Sequence, residues 1–67
     1  MNKTLIETRK AKGISQRTLA KQAGLSLLGY QRYEYEGTIP RADRAKAIAD
    51  ALGQSDYTSF CKLWGLA

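Results

Sequence analysis

Apolar residues recur at helical spacing in several short stretches of the chain, and glycines separate these stretches. The clearest stripe occupies i, i+3, i+4 and i+7 positions within residues 41–52, formed by Ala45, Ile48, Ala49 and Leu52. The separating glycines are Gly13, Gly24, Gly37 and Gly53. This pattern predicts a series of short amphipathic helices joined by tight turns.

Five helices are predicted, at about residues 2–12, 16–23, 27–35 and 41–52 and from residue 56 onwards. Ser15 and Ser26 stand where the second and third helices need N-caps. The chain has a single proline and almost no runs of β-branched residues, which favours helix over strand. The expected fold class is all-α, with residues 1–67 forming one domain.

The composition removes several classes of function. The chain has 67 residues, one cysteine and no histidine. Structural zinc sites use paired cysteines and histidines, and histidine is the commonest general base. No nucleophile–base pair or glycine-rich phosphate loop is visible either. The sequence therefore predicts no metal, no cofactor and no enzymatic activity.

The net charge of +5 is unevenly distributed along the chain. Residues 1–24 contain six basic residues and one acidic residue, whereas residues 25–67 contain five of each. The whole excess therefore lies in the first third of the chain, which indicates an anionic partner for that region.

Residues 16–35 have the features of a helix-turn-helix. Two short helices that cross through a tight turn need a small residue where they approach and a glycine at the turn. Ala20 and Gly24 meet these needs. Apolar residues lie on the facing sides of the two helices: Leu19, Ala23, Leu25, Tyr30 and Tyr33.

The chain resembles the Cro/C1-type helix-turn-helix family from Leu5 to about Phe60. The resemblance rests on GISQxxLAxxAGLS from Gly13 to Ser26, then Tyr33-Glu34, Pro40 and IAxALG from Ile48 to Gly53. It implies a five-helix lambda-repressor-like DNA-binding domain whose third helix enters the major groove of double-stranded DNA.

The resemblance also implies two sets of DNA contacts. The residues expected to contact bases are Leu27, Leu28, Gln31 and Arg32. The residues expected to contact phosphates are Gln16, Arg17, Lys21 and Arg41. Arg32 is the strongest candidate because arginine binds guanine through two hydrogen bonds, although an i, i+4 pair with Glu36 is the alternative. Leu27 and Leu28 offer only apolar contact to thymine methyl groups, or else bury themselves partly against the domain.

Two further features follow from the resemblance. Arg9 and Glu34 are expected to form a partly buried salt bridge with a structural role. Family members usually carry a glycine where this chain has Glu36, so we expect the third helix to run one residue further and to stop at Gly37.

The last segment, residues 55–67, is a candidate dimerisation segment. Trp64 and Leu66 are expected at a dimer interface, whereas Tyr57 and Phe60 are expected to close the core. Cys61 is expected to be a small buried hydrophobe.

These expectations describe a sequence-specific transcriptional regulator, namely a repressor that binds a palindromic operator as a homodimer. It is expected to act in the cytoplasm of a bacterium and to be encoded by either the host or a phage. No membrane and no small-molecule ligand are expected. The alternative is a protein-binding module on the same fold, such as an antitoxin or anti-repressor, that docks its partner through Leu27 and Leu28.

Overall fold

The computed structural model describes residues 1–66, which fold into five helices. The helices are α1 (Lys3–Ala11), α2 (Gln16–Gln22), α3 (Leu27–Tyr35), α4 (Ala42–Ala51) and α5 (Tyr57–Trp64). No strand occurs in these residues. The all-α class and the five-helix architecture of the lambda-repressor-like fold are confirmed.

The helices of the helix-turn-helix begin and end at residues with the local chemistry that these positions require. The hydroxyls of Ser15 and Ser26 accept hydrogen bonds from the backbone N–H groups of Thr18 and Gly29, at 3.1 Å and 3.0 Å. These bonds satisfy donors that the first helical turn leaves without partners. After α3, the chain turns at Gly37, whose φ of +72° favours glycine. The expectation that α3 stops there is therefore confirmed.

The core lies between the helix-turn-helix and the three other helices. Helix α2 packs against α3 and α4, while α1 packs against α3 and α5. The fully buried large side chains come from all five helices or their ends: Leu5, Leu19, Tyr30, Glu34, Ile48, Leu52 and Leu63. Because α3 rests on α2 and α1, its position is set by the core as well as by its own turn.

Two expectations for the last segment are corrected. Trp64 is only 3 % exposed and packs in the core of its own chain, so its ring is not available to a second subunit. Tyr57 is 83 % exposed and does not close the core. The reason is the position of each residue on α5: Trp64 lies on the face that packs on α1 and α4, whereas Tyr57 lies at the outer edge of the first turn.

The rest of that segment divides between core and surface. Phe60 is partly buried and packs against the core, and Cys61 is buried, as expected. Leu66 is half exposed. Ala67 lies outside the described residues, so the structure describes the candidate dimerisation segment only as far as Leu66.

Candidate nucleic-acid interface

Helices α2 and α3 meet through a tight turn centred on Gly24, which has a φ of +73°. The N–H of Leu25 donates to the carbonyl oxygen of Ala20 across this turn, at 2.8 Å. Ala20 itself is buried. The small side chain and the left-handed glycine therefore stand at the positions where the sequence pattern requires them.

One face of α3 points away from the protein. Leu28, Arg32 and Tyr35 are exposed and follow the i, i+4, i+7 spacing of a single helical face. Leu28 is 62 % exposed and Tyr35 is 56 % exposed. Leu27 and Gln31 are partly buried at its edge. This outward face of α3 thus carries one cation, polar groups and two leucines.

The inward face of α3 carries a buried ion pair. Glu34 is fully buried, and its Oε2 atom lies 2.6 Å from Nε of Arg9 on α1. Nη1 of Arg9 also donates to the carbonyl oxygen of Ile14, at 3.0 Å. The structure therefore brings together the two residues that the resemblance pairs. Through these bonds, Arg9 joins α1 to α3 and to the loop before α2.

Glu34 accepts hydrogen bonds from three different side chains. Besides Arg9, the hydroxyl of Tyr30 donates to Oε2, and Nε2 of Gln16 donates to Oε1 at 2.9 Å. Burial raises the pKa of a carboxyl group, but the hydrogen bonds from Arg9, Tyr30 and Gln16 outweigh it and hold the pKa of Glu34 below its ordinary value. Glu34 is therefore a charged group whose acceptor sites are satisfied inside the protein.

The same ionised carboxylate changes the acidity of its neighbours. Burial, and then the hydrogen bond to Glu34, strongly raise the pKa of the Tyr30 hydroxyl. The hydrogen bond to Glu34 also raises the pKa of Arg9, against the effect of burial. Arg9 therefore stays positive and Tyr30 stays neutral, which keeps the pair intact under ordinary conditions.

Gln16 connects this buried pair to the outward face of α3. Its Nε2 atom donates to Glu34 and also to the hydroxyl oxygen of Tyr35, at 2.8 Å. Its Oε1 atom accepts a hydrogen bond from Nε2 of Gln31, at 3.0 Å. A direct phosphate contact from the Gln16 side chain therefore requires one of these hydrogen bonds to break.

The other candidate contact residues are exposed cations. Arg17 and Lys21 lie on α2 and are open to solvent. Arg41 stands at the N-cap of α4, where its Nε atom lies 2.8 Å from the carboxylate of Asp43. This contact lowers the pKa of Asp43. The remaining N–H groups of the Arg41 guanidinium form no hydrogen bond within residues 1–66.

Arg32 has no ionic partner in the described part of the chain. The ion pairs of residues 1–66 are Arg9–Glu34, Arg41–Asp43 and Lys46–Asp50. The alternative in which Glu36 neutralises Arg32 is therefore not adopted. The guanidinium of Arg32 remains available for an external acceptor.

Tyr35 is an outward-facing residue that the sequence pattern did not single out. The hydrogen bond from Gln16 could not be foreseen from the sequence, because it joins residues 19 positions apart. The spacing of positions 28, 32 and 35 was nevertheless a usable signal, since it puts Tyr35 on the same helical face as Arg32.

A helix-turn-helix whose α3 presents an arginine without an ionic partner on its open face is typical of a DNA-binding module. This chain belongs to the Cro/C1-type helix-turn-helix family, because residues 5–57 match the family model described as helix-turn-helix. No curated protein and no solved structure gives a significant match. The family assignment makes the chain a DNA-binding protein of the transcription-regulator kind.

Residues 1–66 hold neither a membrane-spanning helix nor a cluster of metal-binding side chains. None of the five helices is both long enough and apolar enough to cross a membrane. No three acidic or cysteine side chains of these residues gather as a metal site would require.

Proposed function

We propose that this protein is a transcriptional repressor that binds a palindromic operator as a homodimer and inserts α3 into the major groove. The observation that carries the proposal is the unpaired Arg32 on the outward face of α3. A buried ion pair fixes that helix against the scaffold, so Arg32 is presented from a rigid element.

Arg32 and Gln31 are the polar base-reading groups of this proposal. Arginine pairs with O6 and N7 of guanine, and glutamine pairs with N6 and N7 of adenine. One N–H of the Gln31 amide donates a hydrogen bond to Oε1 of Gln16. Its second N–H and its carbonyl oxygen are the two groups that an adenine requires.

Leu27 and Leu28 supply the apolar part of the readout. Leu28 is the more exposed of the two, so it is the better placed to contact a thymine methyl group. Leu27 is partly buried and supports the start of α3 as well. The operator is accordingly expected to contain a thymine beside the base pair that Arg32 contacts.

Arg17, Lys21 and Arg41 supply the attraction to the phosphate backbone. Arg17 and Lys21 are exposed on α2, the helix that crosses the backbone in this docking geometry. Phosphate contacts set the orientation of the protein on the duplex and provide most of the affinity, but they distinguish little between sequences.

A homodimer explains how a helix as short as α3 selects one DNA site. Two copies related by a two-fold axis place two α3 helices about one DNA turn apart, which doubles the number of bases contacted. Leu66 is half exposed at the end of the described chain and is the proposed interface residue. Occupancy of such a site blocks a promoter. The protein then acts in the cytoplasm of a bacterial cell, from a host or phage gene.

In vitro selection of bound DNA from a randomised duplex pool tests the proposal. We expect enrichment of two inverted half-sites whose centres are separated by about one helical turn. An Arg32→Ala protein is the matched control, and its selected pool should lose preference at one base pair of each half-site. If the wild-type protein enriches no sequence, the proposed function is wrong.

The exposed Leu28 also supports the second candidate, a protein-binding module. In that case Arg32→Ala would leave binding to the protein partner unchanged, while Leu28→Ser would abolish that binding. The selection experiment and this pair of variants together separate the two candidates.

A further inference from the structure

We propose that the hydroxyl group of Tyr35 donates a hydrogen bond to a DNA phosphate and that Gln16 is its positioning residue. The inference rests on the proposed function, because it concerns the same DNA-facing surface. It gives to Tyr35 a phosphate contact that the family resemblance implies for Gln16.

The hydrogen bonds of Gln16 show why its own side chain is not the phosphate donor. A glutamine amide has two N–H hydrogens, and both belong to Nε2. In this protein Nε2 donates to Oε1 of Glu34 and to the hydroxyl oxygen of Tyr35. The Oε1 atom of Gln16 is an acceptor, so it cannot bind a phosphate oxygen. The side chain of Gln16 is therefore fully used within the protein.

The hydroxyl of Tyr35, unlike the amide of Gln16, keeps an unused hydrogen-bond donor. It accepts the hydrogen bond from Gln16, and its own hydrogen finds no acceptor within residues 1–66. Its donor is thus free, at the end of a side chain that is 56 % exposed. Tyr35 is the last residue of α3 and shares the outward face with Arg32. A hydroxyl in this position can donate to a phosphate, and such charge-assisted bonds are stronger than neutral ones.

The position of the Tyr35 hydroxyl is fixed from inside the protein. Glu34 is buried and held by Arg9, and it in turn holds the amide of Gln16. Gln16 then holds Tyr35 at 2.8 Å. Donation by the amide also polarises the phenol, which strengthens its own O–H as a donor. The phosphate donor is therefore oriented before DNA arrives.

Tyr35→Phe tests the inference because it removes the hydroxyl and keeps the ring. Binding is measured to the operator recovered by selection and to a mixed-sequence duplex, each at low and high salt. We expect about a tenfold decrease in affinity for both duplexes. The salt dependence should not change, because a neutral hydroxyl releases no counterion. Tyr57→Phe is the control, since Tyr57 is also an exposed tyrosine but lies on α5.

Ethylation interference locates the contact on the DNA and does not depend on the size of the decrease in affinity. With the wild-type protein, ethylation should interfere with binding at several phosphates in each half-site, those bound by the exposed cations and the one bound by Tyr35. Only the signal at the phosphate bound by Tyr35 should be missing with Tyr35→Phe. Gln16→Ala should weaken binding, and adding Tyr35→Phe to it should cost less than Tyr35→Phe alone, because the hydroxyl is no longer oriented.

Several outcomes would overturn the inference. These are unchanged affinity in Tyr35→Phe, a decrease confined to the operator, or the same interference pattern in both proteins. If the wild-type protein binds neither duplex, the proposed function fails and the inference fails with it. If the wild-type protein binds and Tyr35→Phe binds equally well, only the inference fails.

Discussion

Nε of Arg9 lies 2.6 Å from the carboxylate of Glu34, and this bond joins α1 to α3 inside the core. The two residues are 25 positions apart in the chain, so the bond forms only when α1 and α3 come together. It connects the stability of the fold to the placement of α3.

Glu34→Ala should strongly destabilise the fold. The substitution leaves the guanidinium of Arg9 buried without its partner, a change that typically costs about 3–5 kcal/mol. Urea denaturation followed by circular dichroism measures the decrease in stability. Lys46→Ala is the control, because Lys46 belongs to an exposed i, i+4 pair with Asp50 and should change stability little. Equal effects in the two variants would contradict the structural role of the buried pair.

The stability of the protein should fall at acidic pH, partly because of Glu34. The folded-state pKa of Glu34 is below its ordinary value of 4.5, so the unfolded chain binds the proton more readily. The contribution of Glu34 is therefore complete above about pH 4.5 and disappears as the pH falls through the folded-state pKa.

Unfolding free energies measured as a function of pH, in wild type and in Glu34→Gln, test this contribution. The exposed carboxylates of Asp43, Asp50 and Asp56 also have lowered pKa values and add to the wild-type slope. The difference between the unfolding free energies of the two proteins at each pH gives the contribution of Glu34 alone. We expect a shallower acid slope in Glu34→Gln, and parallel curves would show that Glu34 is not coupled to folding.

Arg32→Ala should weaken binding to the operator without affecting the fold. Removal of an arginine–guanine pair reduces affinity by about tenfold or more and relaxes preference at that base pair. Electrophoretic mobility shifts give the affinity, and thermal unfolding gives the stability. The contrary result is an unchanged affinity with an unchanged melting temperature, which would place Arg32 outside the interface.

Binding to DNA should weaken steeply as salt increases. With roughly six phosphate contacts per dimer, log K should fall against log salt with a slope of about −5. Lys21→Ala should lower affinity for all duplexes and make the slope shallower by about one for each phosphate that is no longer neutralised. A slope near zero in the wild type would argue against the electrostatic role of α2.

Leu66→Glu should weaken self-association while leaving the monomer folded. Leu66 is half exposed, so a charge there costs the single chain little but opposes an apolar interface. Analytical ultracentrifugation measures the dimer, and thermal unfolding measures the fold. Trp64→Ala should instead lower the stability of the single chain by about 3–5 kcal/mol, because it empties part of the core. If Leu66→Glu dimerises as strongly as the wild type, Leu66 does not lie in the dimer interface.

Most of the local structure can be predicted from the sequence. Helix positions followed from apolar periodicity and from glycines, and the predicted α2 and α3 match the structure to within one residue. Ser15 and Ser26 marked two helix starts, and Gly37 marked the end of α3. These signals are local because capping and left-handed turns depend on neighbouring residues.

The family and its class of function were also accessible from the sequence. The pattern from Gly13 to Gly53 keeps its spacing without an insertion, and the match over residues 5–57 confirms it. Such a pattern is specific because it records the packing of several helices at once.

Tertiary structure alone decided which aromatic residues are buried and which hydrogen bonds reach the outward face of α3. Trp64 and Tyr57 belong to one short helix, yet one packs in the core and the other is open to solvent. Gln16 and Tyr35 are distant in the chain, and their hydrogen bond depends on how α2 and α3 cross. Periodicity within a segment assigns residues to a face, but only the packing of all five helices decides what that face meets.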